Sequence, residues 1–169
     1  MKTFLKIIFL CLSIGVFVPV LIKSIQINQN CLGYLKRAAD ANAIETAHNE
    51  LNRAITYMEQ NNLTKGYTSI LWRTPNDDIG FFYNNLVSSR DELTKVTTNA
   101  SSLEKSNVLM KLRETLLDEG KSGTELTCPP GLSRFPYNLQ WAILMWIAGL
   151  AIAGVIVWII IDNWREDEE

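Results

Sequence analysis

Residues 72–85 read WRTPNDDIGFFYNN, so Asp77 and Asp78 stand side by side between a proline and a run of aromatics. Paired carboxylates could hold a cation or act as acid and base. A calcium loop would need more spaced oxygen ligands and a carboxylate at its twelfth position, which counted from Asp77 is Ser88. Acid–base work would need a partner nucleophile or a perturbing pocket, and the sequence displays neither. A structural role explains more. Thr74 suits an N-cap, Pro75 suits the first helical position, and Asp77 follows Thr74 by three residues. Two acids in a first turn also favour the helix dipole. The pair is expected to begin a helix.

The cysteines are the other reactive groups. Cys11 lies inside an apolar run and reads as a small apolar residue there. Cys31 lies nine residues after Ile22, and Cys128 lies 13 residues before Trp141. That symmetry predicts a Cys31–Cys128 disulfide closing the neck of the central segment, in an oxidising compartment. Neither has C-x-x-C spacing, and the single histidine is His48, so no metal is expected. His48 stands beside Ile44 and Leu51 and reads as a boundary residue rather than a pH sensor. No phosphate loop, G-x-S-x-G or paired catalytic His and Cys occurs, so neither enzymatic activity nor a cofactor is expected.

The elements that carry these residues are set by two apolar stretches in a 169-residue chain. Residues 4–22, FLKIIFLCLSIGVFVPVLI, hold no charge after Lys6, whose stem can reach the headgroups. No small-x-small cleavage site follows them, so they read as a signal anchor in preference to a cleaved signal peptide. Residues 141–161 are free of charge and bracketed by Trp141 and Trp164, and 139–161 is the second expected span. Gly149 and Ala153 there form a small-xxx-small pair. It would let the two spans of one chain, or two copies, approach closely. Lys2 and Lys6 before the first span favour both ends in the cytoplasm, with residues 1–3 and the acidic tail 162–169 inside. The lipid bilayer is therefore one partner. The net charge of −2 offers nothing for nucleic acid.

Residues 24–120 read as a helical domain and 121–138 as a Pro/Gly linker. Between 24 and 62 there is no proline, and Ile44, Ala47, Leu51, Ala54 and Met58 make one apolar stripe. A single helix of that length would rise about 58 Å, ending at Asn61-Asn62. A second helix follows Thr74, with Ile79, Phe82, Leu86, Leu93 and Val96 at heptad-like spacing, as in a coiled coil. After a break at Asn99-Ala100, Ser101 to Glu104 is a capping box for a third. The fold class is an all-α membrane protein with two transmembrane helices flanking an extracytoplasmic up-down-up three-helix bundle, or alternatively a long helical hairpin. Tyr67, Trp72 and Arg73 would fall at the membrane-distal tip. They are candidate contact residues or, failing that, a plug for the bundle end. Phe81, Phe82 and Tyr83 cannot all face inward, which leaves Phe81 as a further contact candidate.

Residues 63–86 (LTKGYTSILWRTPNDDIGFFYNNL) and 106–120 (SNVLMKLRETLLDEG) resemble an uncharacterised family of two-pass bacterial membrane proteins found notably in cyanobacteria. The resemblance implies the bacterial inner membrane and supplies no activity. The layout also resembles the extracytoplasmic bundles of chemoreceptors and sensor kinases, in topology alone; the eight residues after Ile161 are expected to be too few for an output domain. The functional expectation is an interaction or accessory subunit contacting another membrane protein or itself. The alternative is a ligand-sensing module that signals through a partner.

Overall fold

The computed structural model describes residues 2–96, 100–120 and 123–166, and these are mostly helical. The chain divides into two compact units, Met1–Lys23 with Tyr137–Glu169, and Ser24–Pro136.

In the first unit, two helices are long and apolar enough to cross a membrane. α1 runs Lys2–Ile27 and accommodates Pro19; α6 runs Asn138–Glu166. Most of their apolar side chains point outward, among them Leu12, Leu21, Trp146 and Leu150. Their contact is made at Ser13 and Ala148, both buried. The Ser13 hydroxyl lies 2.9 Å from the Phe9 carbonyl and 3.3 Å from the Ala148 carbonyl. A small hydroxyl that serves its own helix and the neighbour is a common seam in such pairs. Gly149 and Ala153 lie off this seam, for a Cβ on Gly149 would meet open space and Ala153 is exposed. Within this unit the spans therefore meet at Ser13 and Ala148, and the Gly149–Ala153 pair faces outward.

The second unit departs from the expected single helix over 24–62. Helical backbone continues from α1 through a π-helical turn, Asn28–Leu32, into α2, Gly33–Ala39. Gly33 is needed there, because a Cβ would come within 2.9 Å of the Asn28 oxygen. The chain then reverses at Asp40–Ala43, with Ala43 extended at φ −131°, and α3 (Ile44–Gln60) packs back against α2 and the π-turn. Ala47, Leu51, Ala54 and Met58 are all fully buried, as their spacing requires. Burying Leu35 and Ala38 against that stripe outweighs the helix preference of the alanines at the reversal.

α3 ends in a Schellman motif. Asn62 is left-handed at φ 57°, and the Leu63 amide donates to the Met58 carbonyl at 2.8 Å. α4 (Ile79–Lys95) packs on α3, burying Ile79, Phe82, Leu86 and Leu93. With only 17 residues, it contributes to a shared core rather than to a coiled-coil seam. The break at Asn99 lies outside the described residues. α5 (Ser102–Leu116) is capped by Ser101, which accepts from the Glu104 amide at 3.2 Å, and it packs against α2, α3 and α4.

The stretch after α5 is more ordered than a linker. β1 (Leu117–Gly120) and β2 (Gly123–Leu126) pair antiparallel, Leu117 opposite Leu126. The Thr127 amide then donates to Leu116. Leu132 enters the core in a short 3₁₀ turn.

Candidate contact surface

Asp77 and Asp78 do what their sequence context suggested, in two steps rather than one. Pro75–Asp77 form a 3₁₀ turn capped by Thr74. The Thr74 amide donates to the Asp77 carboxylate at 3.1 Å, and the Thr74 hydroxyl donates to the same oxygen. Asp78 is the N-cap of α4, accepting from the Phe81 amide at 3.1 Å. Both carboxylates are committed to backbone geometry. Among the described residues no group of three His, Cys, Asp or Glu gathers to hold a metal.

The same capping turn closes a loop over residues 66–79. The Thr68 amide donates to the Asp77 carbonyl at 3.0 Å, and the Ile79 amide donates to Gly66 at 2.9 Å. Tyr67 and Asp78 form an antiparallel bridge. A compact surface loop with both ends tied together results. Its crest carries Ile70, Leu71, Trp72 and Arg73, and the Ser69 hydroxyl donates to the Trp72 carbonyl across it. Leu71 and Trp72 are 75% and 79% exposed, so they do not plug the domain. The Arg73 guanidinium lies 5.2 Å from the centre of the Tyr67 ring, a cation–π distance.

The reversal at Asp40–Ala43 sets where this loop falls within the domain. Because α3 runs back along α2 and the π-turn, its last turn lies beside the segment where the chain enters the domain. Gly66, left-handed at φ 110°, lies so close to Phe135 that a Cβ would be 2.9 Å from the ring. Phe135 is one residue from Pro136, where the chain leaves the domain.

Phe81 is 64% exposed one turn into α4, while Phe82 is buried and the Tyr83 hydroxyl donates to Glu59 at 2.7 Å. Phe81 lines a groove of about 410 Å³ whose other walls are Pro75, Asn85, Asp118, Pro129 and Pro130. Thus Tyr67, Trp72 and Arg73 share one loop, and Phe81 belongs to an adjoining surface.

Cys31 and Cys128 enter the same core, Cys31 fully buried in the π-turn and Cys128 half-buried after β2. They are free thiols, which corrects the expected disulfide: both are packed in the core without a bond between them. Burial, and secondarily the charge a Cys128 thiolate would carry, push the Cys31 thiol up to about 12. Burial also raises Cys128. These thiols are packed as apolar groups, not activated as nucleophiles. At the other end of the domain, a cavity of about 630 Å³ is lined by Ile44, Glu45, His48, Leu93, Lys105 and Leu109. Periodicity gave no signal for it, because its walls come from three helices.

Comparison with known proteins finds no match to a family model, a curated protein or a solved structure.

Proposed function

We propose that this chain is a two-pass protein of the bacterial inner membrane whose helical domain is a non-enzymatic contact module for another membrane protein. Its orientation, with the domain outside the cytoplasm, rests on Lys2 and Lys6 before the first span. The outward apolar faces of α1 and α6 support the membrane setting, since such surface is stable only in lipid or against protein. The observation that carries the contact role is Phe81. The domain has a filled core of Leu35, Leu51, Ile55, Met58 and Leu86, yet this aromatic ring stays outside it, beside a proline-walled groove. Exposed aromatics next to a rigid groove are typical anchors for a partner.

The test is a photo-reactive phenylalanine analogue at position 81 in the full chain, irradiated in cells. A discrete adduct at 81 that is lost when the neighbouring groove residue is changed by Asn85→Arg supports the role. Equal, diffuse labelling at 81 and at the exposed Lys36 would defeat it.

The cavity beside His48 supports the second reading, a ligand-sensing domain. Its volume falls in the range of small-molecule sites, and Glu45, His48 and Lys105 supply convergent polar groups. Leu109→Trp should fill it. A ligand whose thermal stabilisation survives that substitution is bound elsewhere.

A further inference from the structure

The loop crest Ile70–Arg73 puts three consecutive large apolar side chains, Ile70, Leu71 and Trp72, on the domain surface. We infer that this crest is a lipid-binding element that seats Leu71 and Trp72 in the headgroup region of the same bilayer that α1 and α6 cross. This rests on the membrane reading above and adds to it a third point of attachment.

The first ground is position within the domain. The chain enters at Ser24, two residues beyond Ile22, the last residue of the uncharged stretch. At about 1.5 Å per helical residue the entry point stands only a few ångströms beyond the apolar segment. It leaves at Pro136, five residues before Trp141. The loop is tied to both points. Tyr57, near the end of α3, lies close enough to Cys31 for that thiolate to raise its pKa, behind the larger effect of burial. Gly66, three residues after the buried Leu63, abuts Phe135. Within the domain the crest therefore lies near the residues at which the chain enters and leaves it.

The second ground is chemistry. An aliphatic tip of Ile70 and Leu71 is followed by Trp72 and flanked by Tyr67, Arg73 and Lys65, all exposed. Tryptophan and tyrosine favour the zone between water and hydrocarbon. Arg73 and Lys65 match anionic headgroups, and their long stems can keep the charge at the surface while the crest goes deeper. The third ground is rigidity. The pairing of 66–68 with 77–79 and the Ser69–Trp72 hydrogen bond hold the crest open, so its exposure is a property of the folded loop. A prearranged loop loses little conformational freedom on entering the interface.

The experiment uses the full chain with Cys11→Ser, reconstituted in vesicles of phosphatidylethanolamine and phosphatidylglycerol. Single cysteines are introduced as Leu71→Cys, Met110→Cys and Leu150→Cys and given a nitroxide label; the parent protein reports any residual labelling of Cys31 and Cys128. Collisions with a water-soluble nickel chelate and with oxygen, which concentrates in lipid, give the depth of each label. Met110 is exposed on α5 and Leu150 on α6, so they serve as water and lipid references. The expected result is a label at 71 about tenfold less accessible to nickel than the label at 110, with enhanced oxygen access. Equal nickel access at 71 and 110, with 150 in lipid, overturns the loop assignment and leaves the membrane reading standing. Nickel access at 150 overturns both. Shielding of 71 from nickel and oxygen alike means a protein occupies the crest, and also overturns the assignment.

Discussion

The two ends of the helical domain are finished in opposite ways. Where α2 reverses into α3, exposed charges pair beside scattered apolar side chains such as Met110: Arg113 lies 3.9 Å from Asp40, and nearby Lys111 reaches Glu92 at 2.6 Å. At the other end the loop turns Leu71 and Trp72 outward, while its Asp77 and Asp78 carboxylates hold the backbone. Apolar exposure here comes from well-satisfied hydrogen bonding, not from loose packing. At the polar end the charges are solvated and contribute little to stability.

The largest predicted contrast lies beneath that surface. Met58→Ala, at a fully buried position near the loop end, should cost about 2–5 kcal/mol in chemical denaturation of the purified protein. Met110→Ala, exposed near the polar end, should stay within about 0.5 kcal/mol. Equal losses would mean that the core does not extend as described.

The next contrast is in pH. Folded Cys31 keeps its proton up to about 12, whereas an unfolded thiol releases it near 9.0. The stabilisation is complete below pH 9 and is lost as pH rises toward 12, by roughly 1.4 kcal/mol per unit. Comparing the stability of the parent with Cys31→Ala at pH 8 and pH 10.5 isolates this slope; parallel curves would refute it.

Two glycines with similar backbone angles offer a smaller test. Gly66 and Gly123 have φ of 110° and 116°, but only Gly66 faces a ring. Gly123→Ala should cost about 1 kcal/mol from backbone strain, and Gly66→Ala about 1–3 kcal/mol more from the added clash with Phe135. The smallest effects belong to caps and surface pairs. Asp78→Asn keeps a capping oxygen and should cost under about 1 kcal/mol, and Lys111→Ala about as little. Thermal melts of the two variants should fall within a few degrees of the parent.

Features governed by residues near in sequence were legible. Spacing gave the buried stripe of α3, Asn61-Asn62 gave its end, and Thr74-Pro75 with Asp77 gave the capping turn. The separation of exposed Phe81 from buried Phe82 followed from helical geometry. The reversal at Asp40–Ala43 was not legible. Ala38-Ala39-Asp40-Ala41-Asn42-Ala43 contains no glycine or proline, and only packing of Leu35 on α3 decides it. That one omission hid where the contact loop falls within the domain. Reading 24–120 as helical and 121–138 as a linker hid the short pairing of Leu117–Gly120 with Gly123–Leu126. The flanking positions of Cys31 and Cys128 led both into one core, but position alone could not give the bond between them.

The π-helical turn at Asn28–Leu32 acts as an angular correction. Around an α-helix, residues four apart drift by about 40° per step, because 3.6 residues complete a turn. Ile27, Cys31, Leu35 and Ala39 are spaced by four, and three such steps would carry Ala39 about 120° away from Ile27. Yet all four are buried. The wider turn takes up much of the accumulated rotation at the level of Cys31, so one face of the helical path stays inward from Ile27 to Ala39. Deleting a single residue from this turn would put the segments on either side about 100° out of phase, and the inward face at one of them would be lost.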